Sequence, residues 1–275
     1  MIRIEEEDSW LLLGHCAHAN LAGEFARHWK NECFLPPDPF VHILDAVSRH
    51  DDSWGDVDAN PVLTPEGNPS AFSSELVGTY DAFEEIDLDD YLRVRGEATE
   101  KAAARDPYAG ILISMHTVNL LTEQADLSTL TPDEAKIHSA FIDGQLKRQQ
   151  ELIVLLKETG FVESALSETA LRRGFEFLQA CDSLSLLVGV DFVEPSQLRH
   201  AQPMRDGEKA IIKFTPQGNG VFELDPFPLD EVGLSFEIPY VRVPKTATVS
   251  LEAYQAAYRV AEHVAKKITF IAKTK

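Results

Sequence analysis

The first fourteen residues alternate and then run apolar. Ile2 and Ile4 fall on one side, and Trp10 to Leu13 follow an acidic stretch from Glu5 to Asp8. This predicts an edge strand or hairpin. From His15 to about Leu187 apolar residues return every three or four positions, which predicts helices buried along one face. Three starts are punctuated, at Asp38-Pro39, Asp106-Pro107 and Thr131-Pro132-Asp133-Glu134. Each offers a capping side chain followed by proline at the first helical position. The third helix is expected to run past Leu156 until Gly160 stops it, and a further one to span about Ser167 to Gly189.

Two stretches break the helical period. Gly55 to Ser70 contains Pro61, Pro65, Pro69 and Gly67 and reads as a long irregular loop. It directly follows His50-Asp51, which makes it a candidate pocket wall. Glu194 to Pro244 reads as short strands at Ala210 to Phe214, Val221 to Leu224, Leu234 to Ile238 and Tyr240 to Val243, divided by Gly and Pro turns. A helix from Leu251 to Lys267 and a last strand from Ile268 to Ala272 are expected to follow. The expected fold class is mainly α, as one domain over residues 1–275. A helical body over about 15–190 carries a small antiparallel β appendage over about 194–245, joined by the N-terminal strand and followed by helix 251–267.

Polar residues interrupt the apolar stripes at matching registers. The second helix reads Phe40, Ile43, Leu44, Val47, then His50, Asp51 and Trp54. The first reads His18, Ala22, Phe25, Trp29, with His15 one turn earlier. Leu112, His116 and Leu120 lie on another stripe, and Leu178, Asp182 and Leu186 on a fourth. A buried charge must be paired or bind a metal. Two His and two Asp from separate helices suit a divalent cation with open positions for water or substrate. The same residues also fit plain ion pairs, with Asp182 against His18 or His50. His138 lies near the polar side of its helix and reads as solvated or capping. Trp54 and Phe72 bracket the loop and are expected to staple it to the core. The acidic run Glu84 to Asp90 reads as a solvated helix entrance.

Lys plus Arg is 25 and Asp plus Glu is 45, a formal net charge of −20. That balance argues against nucleic acid or an anionic membrane as partner. Three cysteines without CxxC spacing argue against a disulfide framework or thiolate zinc site. The acidic start is unlike a signal peptide, and no apolar run approaches a membrane span. A cytoplasmic location is expected. No P-loop, GxSxG, HExxH or strand-following GxGxxG occurs.

The ordered set His18, His50-Asp51 and Asp182 resembles the ligand set of the HD superfamily of metal-dependent phosphohydrolases. The chain is also similar to the DUF3891 family of uncharacterised bacterial proteins. That likeness rests on the segment from His18 to Trp29, the run from His50 to Pro61 and the Ser114 to His116 triplet. The HD resemblance implies an HD-like helical bundle and a divalent ion (Mn, Fe, Co, Ni or Zn) on His18, His50, Asp51 and Asp182. It further implies water-mediated hydrolysis of a small phosphorylated metabolite or nucleotide. Asp51 and His116 would take catalytic roles. Asp52 would stand in for the acidic residue that family members carry one turn after the doublet, where this chain has Trp54. His15 would orient His18 from outside. Two alternatives are an HD-type di-iron oxygenase with His116 as an extra ligand, and a non-catalytic ligand-binding protein stapled by its metal. The turn at Gly218 to Gly220 would serve a homo-oligomer edge or line the pocket.

Overall fold

The structure is a computed structural model that describes residues 1–73 and 88–273. A hairpin, β1 (Ile2–Glu5) and β2 (Ser9–Leu13), leads into α1 (His15–His28) and α2 (Phe40–Arg49). A 3-10 turn (Asp52–Trp54) and the short α3 (Gly55–Ala59) follow. Four longer helices come next: α4 (Leu88–Arg105), α5 (Pro107–Asn119), α6 (Pro132–Glu158) and α7 (Glu168–Gly189). The chain then builds β3 (Ser196–Gln197), β4 (Gln202–Pro203), β5 (Lys209–Ala210), β6 (Lys213–Gly218), β7 (Val221–Asp225) and β8 (Ser235–Pro244). It ends in α8 (Leu251–Arg259) and β9 (Glu262–Ala272). Among the described residues no helix is long and apolar enough to cross a membrane. Of the acidic run, Glu84 to Asp87 lie outside the described residues, while Asp89 and Asp90 occupy the first turn of α4.

Helix starts follow side-chain chemistry. Asp106 accepts hydrogen bonds from the Tyr108 and Ala109 amides, Thr131 and Glu134 form a reciprocal capping box, and Ser167 caps α7. Asp38 is the exception. Pro39 itself is the residue before α2, and no side chain caps that end.

The expected mainly-α, HD-like bundle with a β appendage is overturned by the sheet. Seven strands pair in the order β1-β2-β8-β9-β7-β6-β3, antiparallel except for β7 with β9, and the sheet curls into a half-barrel. It is no appendage, because Leu11, Phe214, Leu224, Ile238 and Phe270 share one buried cluster with Phe25, Ile43, Leu112, Phe175 and Leu178. Part of the sheet's central strand comes from the segment read as helix 251–267. That helix ends at Arg259, and residues 262–272 form β9, the longest strand among the described residues. Tyr254, Ala257, Ala261 and Val264 fit a helical period, but the β-branched run and the burial of Ile268 and Phe270 at period two fit a strand. Residues 234–243, read as two strands, are one. Pro239 sits inside β8 opposite Ala265, beyond the point where β2 pairs.

The site depends on how closely α1 meets α2. Gly23 makes that approach possible, because a Cβ there would lie 2.8 Å from Ser48 Cβ and 3.0 Å from its Cα. Gly23→Val is therefore expected to cost roughly 1–3 kcal/mol through overpacking. Urea denaturation should show a lower midpoint at unchanged slope. A wild-type midpoint would mean that the helices do not meet there.

Candidate metal centre

Three helix-borne side chains and two from the end of α2 meet inside the helical layer. His18 comes from α1, His50 and Asp51 from the turn ending α2, His116 from α5 and Asp182 from α7. Their burial runs from 0 % exposure at His50 to 9 % at Asp182. The sequence stripes pointed these residues inward, and the structure brings all five together. Two overlapping groups, His18 with His50 and Asp51, and His50 with His116 and Asp182, each place their ligand atoms within 4.8 Å of one another.

The hydrogen bonds outside the cluster decide what the imidazoles offer inside it. His50 Nδ1 donates to the Val47 carbonyl at 2.8 Å, since a carbonyl can only accept. Ser185 gives its hydroxyl proton to the Asp182 carbonyl, so its oxygen accepts from His18 Nδ1 at 2.7 Å. In their neutral forms both rings therefore turn an Nε2 lone pair inward. These two nitrogens lie 3.2 Å apart. Asp182 Oδ1 is 3.5 Å from His18 Nε2 and 3.3 Å from His50 Nε2, while Asp51 Oδ2 is 3.3 Å and 3.8 Å from the same atoms. Four electron-rich atoms thus crowd one buried point. Such a donor set fits a divalent ion in its mixture of imidazole nitrogen and carboxylate oxygen, and each ring has the outer hydrogen bond that orients metal-bound histidines.

Electrostatics agree with that crowding. Burial works to lower His50, but Asp51 and Asp182 outweigh it and hold its pKa up at about 9. A proton there relieves the cluster when no cation does. Burial would raise Asp182, yet His50, His116 and His18 bring it down to about 2. Burial dominates at His116 and drives it down to about 3.

Arg95 was not anticipated. Its Nη1 donates to Asp51 Oδ1 at 2.8 Å, leaving Oδ2 to the histidines. Its guanidinium carbon stands 5.3 Å from the ring centres of both Trp54 and Tyr91. Arg95 holds Asp51 well below the usual carboxylate range against the upward push of burial. The signal was present: Leu88, Leu92, Arg95, Thr99 and Ala102 form one buried helical stripe. Gln179, Asn119 and Ser185, also buried and unremarked, surround the histidines on their outer side.

Other expected residues lie elsewhere. Asp52 sits beside Arg49 at 3.6 Å, and the charges acting on it are those of Arg49, Arg105 and Asp45. His15 does not orient His18. Its backbone amide and ring Nδ1 both contact the Asp58 carboxylate, at 2.6 and 2.8 Å, and its ring stacks on Trp54 at 4.7 Å. Asp58 thereby caps α1 from across the loop, a cap that Gly14 cannot supply. His138, read as solvated or capping, is buried and bonded to the Leu121 carbonyl at 2.9 Å. Trp54 is 2 % exposed and packs with Tyr91 and Leu92, the stapling role expected of it.

Arg95→Met should leave Asp51 as an uncompensated buried charge and cost about 3–5 kcal/mol of stability at pH 7. Asp51 is depressed in the folded state, so the stabilisation it shares with Arg95 is present above the ordinary carboxylate pKa of about 3.9 and fades as pH falls below it. Denaturation curves of the two proteins are expected to differ most at neutral pH and to converge in acid. A pH-independent gap would mean that Arg95 acts through packing alone.

No curated protein and no solved structure matches the chain significantly. The family described as "protein of unknown function (DUF3891)" matches residues 1–245, a span that holds all five residues of the cluster together with Arg95. The chain therefore belongs to the DUF3891 family.

Proposed function

We propose that the cluster is a divalent-metal centre and that the protein is a metal-dependent hydrolase of a small phosphorylated metabolite or nucleotide. The observation that carries this reading is the convergence of four inward lone-pair atoms on His18, His50, Asp51 and Asp182. Their order along the chain resembles that of the HD phosphohydrolases, a likeness of ligand order and not of architecture. When bound, a divalent ion supplies a Lewis-acid site for a phosphoryl oxygen and acidifies a water.

The protein's own groups do the rest. Val47 and Ser185 fix the imidazoles so that Nε2 faces inward. Arg95 holds one Asp51 oxygen and turns the other to the centre. Asp51 and Asp182 carry two negative charges and Arg95 one positive, so a divalent ion leaves the centre with one positive charge. That local charge is what a protein of net charge −20 needs to attract an anion. Arg49 and Arg172 are committed to Asp45, Asp52 and Glu176. Arg199, after α7, is near enough to Asp182 to interact with its charge and supports an anionic substrate from the rim.

A second reading, a dinuclear HD-type oxygenase, draws on the group formed by His50, His116 and Asp182. Elemental analysis of protein purified without added metal, beside a His50→Ala, Asp51→Ala double variant, tests the centre. Bound metal in the first and its loss in the second is expected, together with Mn²⁺-dependent, chelator-sensitive release of phosphate from a substrate panel. Equal metal content in both proteins would end the reading. An iron-linked absorbance with oxygen uptake would select the oxygenase instead.

A further inference from the structure

His116 meets a different kind of neighbour from the other two histidines. The outer nitrogens of His18 and His50 face acceptors, whereas His116 Nδ1 faces the side-chain amide nitrogen of Gln179 at 3.5 Å. An amide NH2 can only donate, so Nδ1 must present a lone pair and the ring's single proton sits on Nε2. That Nε2 points at the centre, 3.9 Å from Asp182 Oδ2.

The orientation of Gln179 follows from its neighbours. Its Nε2 donates one hydrogen to Asn119 Oδ1 at 2.7 Å, which leaves the other for His116. Its Oε1 accepts from His200 Nε2 at 2.5 Å. Asn119 Oδ1 also accepts from Gln124 Nε2 at 2.8 Å. Reversing Gln179 would bring its oxygen against an Asn119 oxygen that already accepts from Gln124. All of these side chains lie on α5, α7 and the segments just after them, away from the four inward lone pairs.

We infer that Gln179 is a positioning residue that fixes His116 as its Nε2–H tautomer, so that His116 offers the centre a hydrogen-bond donor instead of a third imidazole ligand. The centre then holds a single ion, on His18, His50, Asp51 and Asp182. The ion count rests on the metal reading proposed above, whereas the tautomer rests on hydrogen bonds within the chain alone. A donor beside Asp182 suits a hydrogen bond from Nε2–H to a phosphoryl or leaving oxygen, with the ring keeping its single proton.

Two-bond ¹H–¹⁵N correlation spectra of the full chain at neutral pH read the tautomer directly, with His116 assigned by the signals missing from His116→Gln. The expected result is a bare Nδ1 and a protonated Nε2. Gln179→Glu, which gives Nδ1 an acceptor, is expected to put a proton on Nδ1. Mn²⁺ titration followed by elemental analysis should give one equivalent per chain in both the wild type and His116→Gln. A protonated Nδ1 in the wild type, an unchanged tautomer in Gln179→Glu, or two equivalents falling to one in His116→Gln would each overturn the inference. If no metal binds while His116 carries its proton on Nε2, the metal reading fails and the role of Gln179 stands.

Discussion

Two imidazole nitrogens 3.2 Å apart, with a carboxylate oxygen of Asp51 and one of Asp182 each within 3.3–3.8 Å of both, are the buried constraint around which this protein is organised. Left alone they repel, and burial removes the water that would screen them. The surrounding structure answers with cations: the Arg95 guanidinium against Asp51 and a proton on His50. Helices α1, α4, α5 and α7 and the end of α2 each supply one part of the arrangement. Their packing cannot drift without exposing an unpaired charge to a low-dielectric interior. Such a cluster is weak grounds for stability, since apolar residues of equal volume would pack at lower cost. The metal centre proposed above would account for its presence.

The sheet gives the helices a floor. Strand β9 lies at its middle, between β8 and β7, and delivers Phe270 against Phe25 of α1 at 5.2 Å. Phe177 of α7 packs edge-on against Trp29 just after α1 at 5.4 Å, and Tyr240 of β8 donates to the Gly189 carbonyl at the end of α7. Helices α1 and α7, which carry His18 and Asp182, are thus clamped from the side opposite the centre.

Much of the candidate site was legible because burial of a charged residue leaves a mark on periodicity. His18, His50, Asp51, His116 and Asp182 each occupy a register that an apolar side chain should fill. Arg95 leaves the same mark on α4 and is found by the same reading once guanidinium is counted among the groups that must be paired. The hairpin and the helices with Asp106, Thr131 and Ser167 at their starts were also legible, since capping is local chemistry. The sheet was not. Residues 262–267 satisfy both helical and strand periods, and what decides between them is the long-range pairing of β9 with β8 and β7. Asp52 shows a comparable limit: its neighbour in sequence reaches the centre, but Arg49 holds its own carboxylate aside.

An anomalous-difference map from crystals grown with Mn²⁺ addresses the central claim most directly. The expected result is one peak enclosed by His18 Nε2, His50 Nε2, Asp51 Oδ2 and Asp182 Oδ1. A crystal with no peak there, its four side chains joined only by protons and ion pairs, would contradict it.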